Sequence, residues 1–137
     1  MKLDSSAFIA DPELIQALEA HSTAISCRED RTIFNQGDTP QGLFILDQGT
    51  ITLTMDSPSG QNVMRIQAVP GSLLGLPGLI GNGSYTLSAI AHDGARLSFV
   101  PRDKFTSLMQ DDPRLSLKIL QVLAAELRSA RQALSNP

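Results

Sequence analysis

A chain of 137 residues is long enough for one domain with its own core. Apolar residues make up 42% and charged residues 18%, with prolines and glycines spread throughout, which excludes a long disordered tract. The net charge of -3 argues against gripping nucleic acid through this chain alone, because such binding rests on neutralising phosphates. The single cysteine, Cys27, can form neither an internal disulfide nor a CxxC metal site. No stretch reads as a signal peptide or a membrane span, so a cytoplasmic location without a membrane partner is expected.

In chain order, Asp11-Pro12-Glu13 is a helix start: a capping acceptor, a proline in the first turn, and an acid at the positive end of the dipole. Leu14, Ile15 and Leu18 share one face, so a short amphipathic helix is expected over 11–21. From 32 to 100 come short strand-like runs split by turn residues. Thr50 to Met55 alternates strictly, Gly49 marks a tight passage before it, Ser57-Pro58-Ser59-Gly60 is a turn, and Val63 to Val69 alternates again. Asp93-Gly94, between Tyr85–Ala91 and Arg96–Val100, is a hairpin signal. Runs at this spacing predict a sandwich or barrel.

After Val100 the period changes to about 3.6. A hinge helix follows Pro101, and Asp111-Asp112-Pro113 opens a long helix to about residue 134, together spanning 101–134. Leu115, Ile119 and Val122 form a stripe suited to lying on the barrel. Leu120, Leu123, Leu127, Ala130 and Leu134 step by threes and fours, the spacing of a coiled-coil seam, and predict a homodimer through this helix.

Short helix, barrel, hinge helix, long helix is an order that resembles the cyclic-nucleotide-binding domain of the catabolite-activator (CRP/FNR-like) regulators. RTIFNQGDTPQGLFILDQGTITLTM (31–55) looks like the family's first strands, QNVMRIQAVPGSLLGLPGLIGNGSY (61–85) like its next strands and phosphate-binding cassette, and LSFVPRDKFTSLMQDDPRLSLKIL (97–120) like its exit strand and helices. The resemblance covers almost all of 1–137. It implies a mainly β fold with flanking helices: a double-stranded β-helix (jelly-roll) barrel, a short N-terminal helix and a long C-terminal dimerisation helix. In bacterial members a helix-turn-helix domain follows, and the resemblance places its start just after Pro137, so no DNA-binding domain is expected within this chain.

The family's cassette offers helix-start amides and an arginine to a cyclic phosphate, and a glutamate to the ribose hydroxyl. Here it reads Gly75-Leu76-Pro77-Gly78-Leu79, with Leu76 in the place of the glutamate and Tyr85 or Thr86 in the place of the arginine. Ala130 and Arg131 align where cAMP receptors offer hydroxyls to adenine, and Arg131 is the candidate pocket lid. A phosphate buried without a cation is costly. The resemblance thus implies an effector-sensing regulatory domain of a transcription regulator with weak or altered ligand specificity, its small-molecule effector a cyclic nucleotide or another small anion. The alternative is a degenerate module that binds no ligand and serves dimerisation or protein interaction. No residues support an enzyme: His21, His92 and Cys27 are too dispersed to ligate a metal or haem, and the nucleophile-elbow and Walker patterns are absent.

Overall fold

Eight short strands form two four-stranded antiparallel sheets in the computed structural model, which describes residues 5–135 with the side chains of 130 and 133–135 left outside that description. The strands are β1 (Thr23–Ser26), β2 (Arg31–Phe34), β3 (Gly42–Gln48), β4 (Ile51–Asp56), β5 (Asn62–Ala68), β6 (Leu73–Leu74), β7 (Ser88–Ala91) and β8 (Arg96–Pro101). One sheet runs β1-β8-β3-β6 and the other β2-β7-β4-β5, the strand order of a jelly roll. The helices are α1 (Pro12–Glu19), α2 (Leu76–Ile80), α3 (Arg102–Asp111) and α4 (Pro113–Ser135). A 3-10 turn at Ser5–Phe8 precedes them and packs on α4.

The burial of each strand follows its sequence. In β5, Met64, Ile66 and Ala68 point inward while Val63, Arg65 and Gln67 are exposed, a one-faced strand. In β3 the run Leu43-Phe44-Ile45-Leu46 is buried on both faces. Phe44 and Leu46 join the barrel interior, while Leu43 and Ile45 join a second cluster beneath the helices. A continuous apolar run therefore marks a strand covered from both sides.

The Asp93-Gly94 turn does not close the hairpin its sequence promises. Strand β7 pairs with β2 and β4, whereas β8 pairs with β1 and β3, so the chain crosses between sheets here. The turn is held from outside: the Gly94 N–H donates to the Cys27 carbonyl, and the Cys27 N–H to Ala95 (both 2.9 Å). The passage from β3 to β4 is a second crossing beside it. Gly49 has φ +88°, and a Cβ there would lie 2.8 Å from Ala95 Cα, so only glycine serves. The barrel also starts earlier than residue 32, because β1 pairs with β8. Only Ile25 of β1 is even half-buried, which gives this edge strand little apolar signal.

At the N-terminal end of α1, Asp11 Oδ1 accepts from the Leu14 N–H at 2.9 Å, and Leu14 and Leu18 are fully buried. The helix ends at Glu19, two residues short of the expected boundary. Ion pairs tie its start to α4: Lys118 to Asp11 at 2.7 Å and Arg114 to Glu13 at 2.6 Å. On α4, Leu115, Ile119 and Val122 are buried as their spacing indicates.

Candidate ligand-binding site

Between the barrel and α4 lies a cavity of about 540 Å³. Phe34, Leu53, Met55 and Met64 supply its barrel wall, and Gly75, Pro77 and Thr86 its rim. From α4 come Leu123, Glu126 and Leu127. The volume falls within the roughly 300–1,000 Å³ of small-molecule sites. Among the described residues no lysine or arginine lines it.

The cassette is held by packing within the protein. Gly75 caps α2 with φ +91°, and a Cβ there would fall 2.6 Å from the Tyr85 ring. Tyr85 is buried, its ring stacked on Phe34 at 4.0 Å between centroids and its hydroxyl donating to the Gly42 carbonyl at 2.9 Å. Burial pushes its phenol above the usual range, so it stays neutral. Tyr85 thus anchors the loop to the barrel, and its proton is committed.

The other cassette residues divide between core and cavity. Leu76 and Leu79 turn away into the cluster beneath the helices, with Leu76 fully buried there. Gly78 is buried, while Gly75, Pro77 and Thr86 reach the cavity. Arg131 is exposed and stands apart from the residues lining the cavity. Of the seam residues, Leu120 and Leu127 are each 57% exposed, but Leu123 is half-buried against the core and lines the cavity. The side chains of Ala130 and Leu134 fall outside the described residues. Leu117, also exposed at 56%, joins Leu120, exposed Ala124 and Leu127 in a stripe of three-four-three spacing.

Sequence reasoning missed Glu126. Its Oε1 is shielded from solvent and has no hydrogen-bond partner among the described residues. Burial alone pushes its carboxyl up to about 8. A signal existed: 119, 122, 126 and 129 fall on one face of α4, and Ile119, Val122 and Ser129 are all buried. An acid on the core stripe of a helix is the anomaly to look for.

The dispersed histidines and cysteine have structural places. His92 Nε2 lies 2.6 Å from Thr52 Oγ1, its Nδ1 3.4 Å from Asp30, and Cys27 is buried in the barrel core, deeper than a loop position suggests. Among the described residues no group of His, Cys, Asp or Glu is placed to hold a metal ion, and no helix is long and apolar enough to cross a membrane.

Comparison with known proteins places this arrangement. The family model of the cyclic nucleotide-binding domain matches residues 24–112. A CRP-like cAMP-activated global transcriptional regulator of Mycobacterium tuberculosis is 27% identical over 127 residues, 92% of this chain and 56% of that protein. The cyclic AMP receptor protein of Thermus thermophilus is 28% identical over 102 residues, 74% of this chain and 47% of that protein. The crystal structure of the Thermus thermophilus catabolite activator protein superposes with a TM-score of 0.79 at 26% identity, covering 91% of this chain and 59% of that one. The chain therefore spans about half the length of the curated relatives it matches. On the match to residues 24–112, carried by a jelly roll with its flanking helices, the chain belongs to the cyclic nucleotide-binding domain family.

Proposed function

We propose that this chain is the effector-sensing domain of a CRP/FNR-like transcription regulator, and that it converts occupancy of the cavity into a change at α4. One observation carries the reading: α4 is a wall of the cavity, and Leu127 both lines it and stands in the exposed stripe. A ligand that moves or stiffens this turn acts on whatever covers the stripe. The occupant of the stripe is a second copy of the chain, packed along Leu117, Leu120, Ala124 and Leu127 with Leu123 at its edge. Sensing and dimerisation require no catalysis and no nucleic acid bound by this chain alone, and the proposed setting is cytoplasmic.

Ligand specificity is altered from that of a cAMP receptor. Leu76 is committed to the core, Tyr85 to Gly42, and no cation lines the cavity among the described residues, so neither the ribose hydroxyl nor the phosphate finds the side-chain partner that the family's cassette offers. The cavity itself supports a ligand-binding reading over that of a degenerate module without one.

A thermal-shift screen of cyclic nucleotides, organic anions and neutral apolar compounds tests the proposal, since a ligand of the folded state raises stability by mass action. At least one class is expected to stabilise the chain, with cAMP weaker than about 100 μM. A screen without a stabilising compound overturns the sensing role. Sedimentation should show dimers for the parent and monomers for Leu120→Lys with Leu127→Lys; a monomeric parent at high concentration overturns the seam.

A further inference from the structure

The cavity's chemistry narrows the effector, an inference that rests on the sensing role proposed above. Nearly every group facing the space is apolar: aromatic from Phe8 and Phe34, aliphatic or thioether from Leu53, Met55, Met64 and Leu123. Two side chains alone bring polar atoms among the described residues, Thr86 at the rim and Glu126 on α4. The Glu126 Oε1 atom is closed off from solvent without a hydrogen-bond partner. Nothing the size of a water molecule reaches that oxygen, so a ligand meets Glu126 through the part of its side chain that lines the cavity. We propose that the effector is an uncharged, largely apolar organic molecule of drug size, presenting one hydrogen-bond acceptor such as a carbonyl oxygen to the Glu126 carboxyl group.

Charge decides against the other classes. The carboxyl is held up at about 8 by burial, so at neutral pH it is protonated and offers an O–H. A phosphate or carboxylate here faces apolar walls and one acid, with no cation among the lining residues to balance it. A cationic amine would ionise Glu126, but the resulting pair would sit against apolar walls with only the Thr86 hydroxyl to satisfy its remaining atoms. A neutral acceptor takes the O–H without creating a charge and leaves the walls to bury apolar surface. The same bond gives an effector a grip on α4 itself, one turn from Leu123 and next to Leu127.

The probe for this proposal is 6-propionyl-2-dimethylaminonaphthalene, a neutral aromatic ketone whose emission moves to the red when its carbonyl accepts a hydrogen bond. The parent chain is expected to bind it saturably with micromolar affinity. 2-Acetonaphthone should displace it at least tenfold better than 2-ethylnaphthalene, which lacks the acceptor. Raising the pH from 7 to 9.5 ionises Glu126, removes the donor, and should weaken probe binding about tenfold. Glu126→Gln keeps an N–H donor that does not titrate, so its binding should persist and become independent of pH. Glu126→Leu should erase the preference for ketone over hydrocarbon while hydrocarbon binding remains, which a failure to fold would not produce. Equal displacement by ketone and hydrocarbon in the parent overturns the proposal, as does tighter displacement by 1-naphthylmethylamine. Low-micromolar displacement by cAMP or 2-naphthoate overturns the ligand class and leaves the sensing role standing. A chain that no tested compound binds or stabilises overturns both.

Discussion

On the helix side of the sheet β1-β8-β3-β6, Leu14, Leu18, Leu43, Ile45, Leu73 and Leu76 have no exposed surface at all. Across the barrel, where Phe34, Leu53, Met55 and Met64 of the second sheet form the wall, a cavity of about 540 Å³ opens, with Met55 and Leu87 left half-buried at its edge. The same chain has therefore filled one apolar region solidly and left the other with room. Close packing is the ordinary state of a core, and a space of this size forfeits dispersion contacts on every wall. The cluster under the helices serves stability. The barrel side forgoes part of that packing where the cavity opens.

Truncation on the two sides should differ most. Leu43→Ala leaves a hole among atoms already in contact and should cost about 3–5 kcal/mol in urea unfolding, whereas Met55→Ala enlarges an existing space and should cost ~1 kcal/mol. Equal costs would erase the contrast. Next comes Glu126, whose carboxyl stands at about 8 in the folded chain against 4.5 for a free glutamate side chain. Because the folded value is raised, its contribution is full below pH 4.5 and is lost as pH rises toward 8, at up to about 1.4 kcal/mol per unit. Glu126→Gln should therefore unfold within ~1 kcal/mol of the parent at pH 5 and be about 1–3 kcal/mol more stable than it at pH 8. A parent whose stability is flat across that range would mean that the carboxyl is solvated and the cavity wet.

The smallest effect belongs to the packed side. The neighbouring Asp47 carboxyl, together with partial burial, holds the Glu19 carboxyl up at about 7. Asp47 in turn accepts from the Ser98 hydroxyl at 2.6 Å. The sign matches that of Glu126: stability present below pH 4.5 is lost as pH rises through 7. Glu19→Gln should flatten this part of the profile only slightly, because solvent screens the pair. A loss in that window larger than the one from Glu126 would reverse the ranking of the two sides.

What was legible in the sequence is what local chemistry dictates. Asp11-Pro12 and Asp112-Pro113 start helices because a cap acceptor and a donor-less residue satisfy the first turn wherever it forms. Met64, Ile66 and Ala68 point inward because a strand alternates. That the segment 75–86 carries no arginine or glutamate could also be read directly; which charged side chains other segments bring to the cavity could not, and Glu126 came from α4. The tertiary structure decided what each face meets. Asp93-Gly94 turns the chain in either a hairpin or a crossing, and the pairing of β7 with β4 and of β8 with β3 selected the crossing. Tyr85 carries a hydroxyl fit for a ligand, but the Gly42 carbonyl lay within reach and took it. Periodicity gave α4 two stripes, yet only the barrel's width and the cassette's position set Leu123 and Glu126 facing a cavity, and left Leu117 and Leu120 exposed. Spacing along a helix fixes which side chains share a face; the long-range packing of sheets against it fixes whether that face is filled, exposed or hollow.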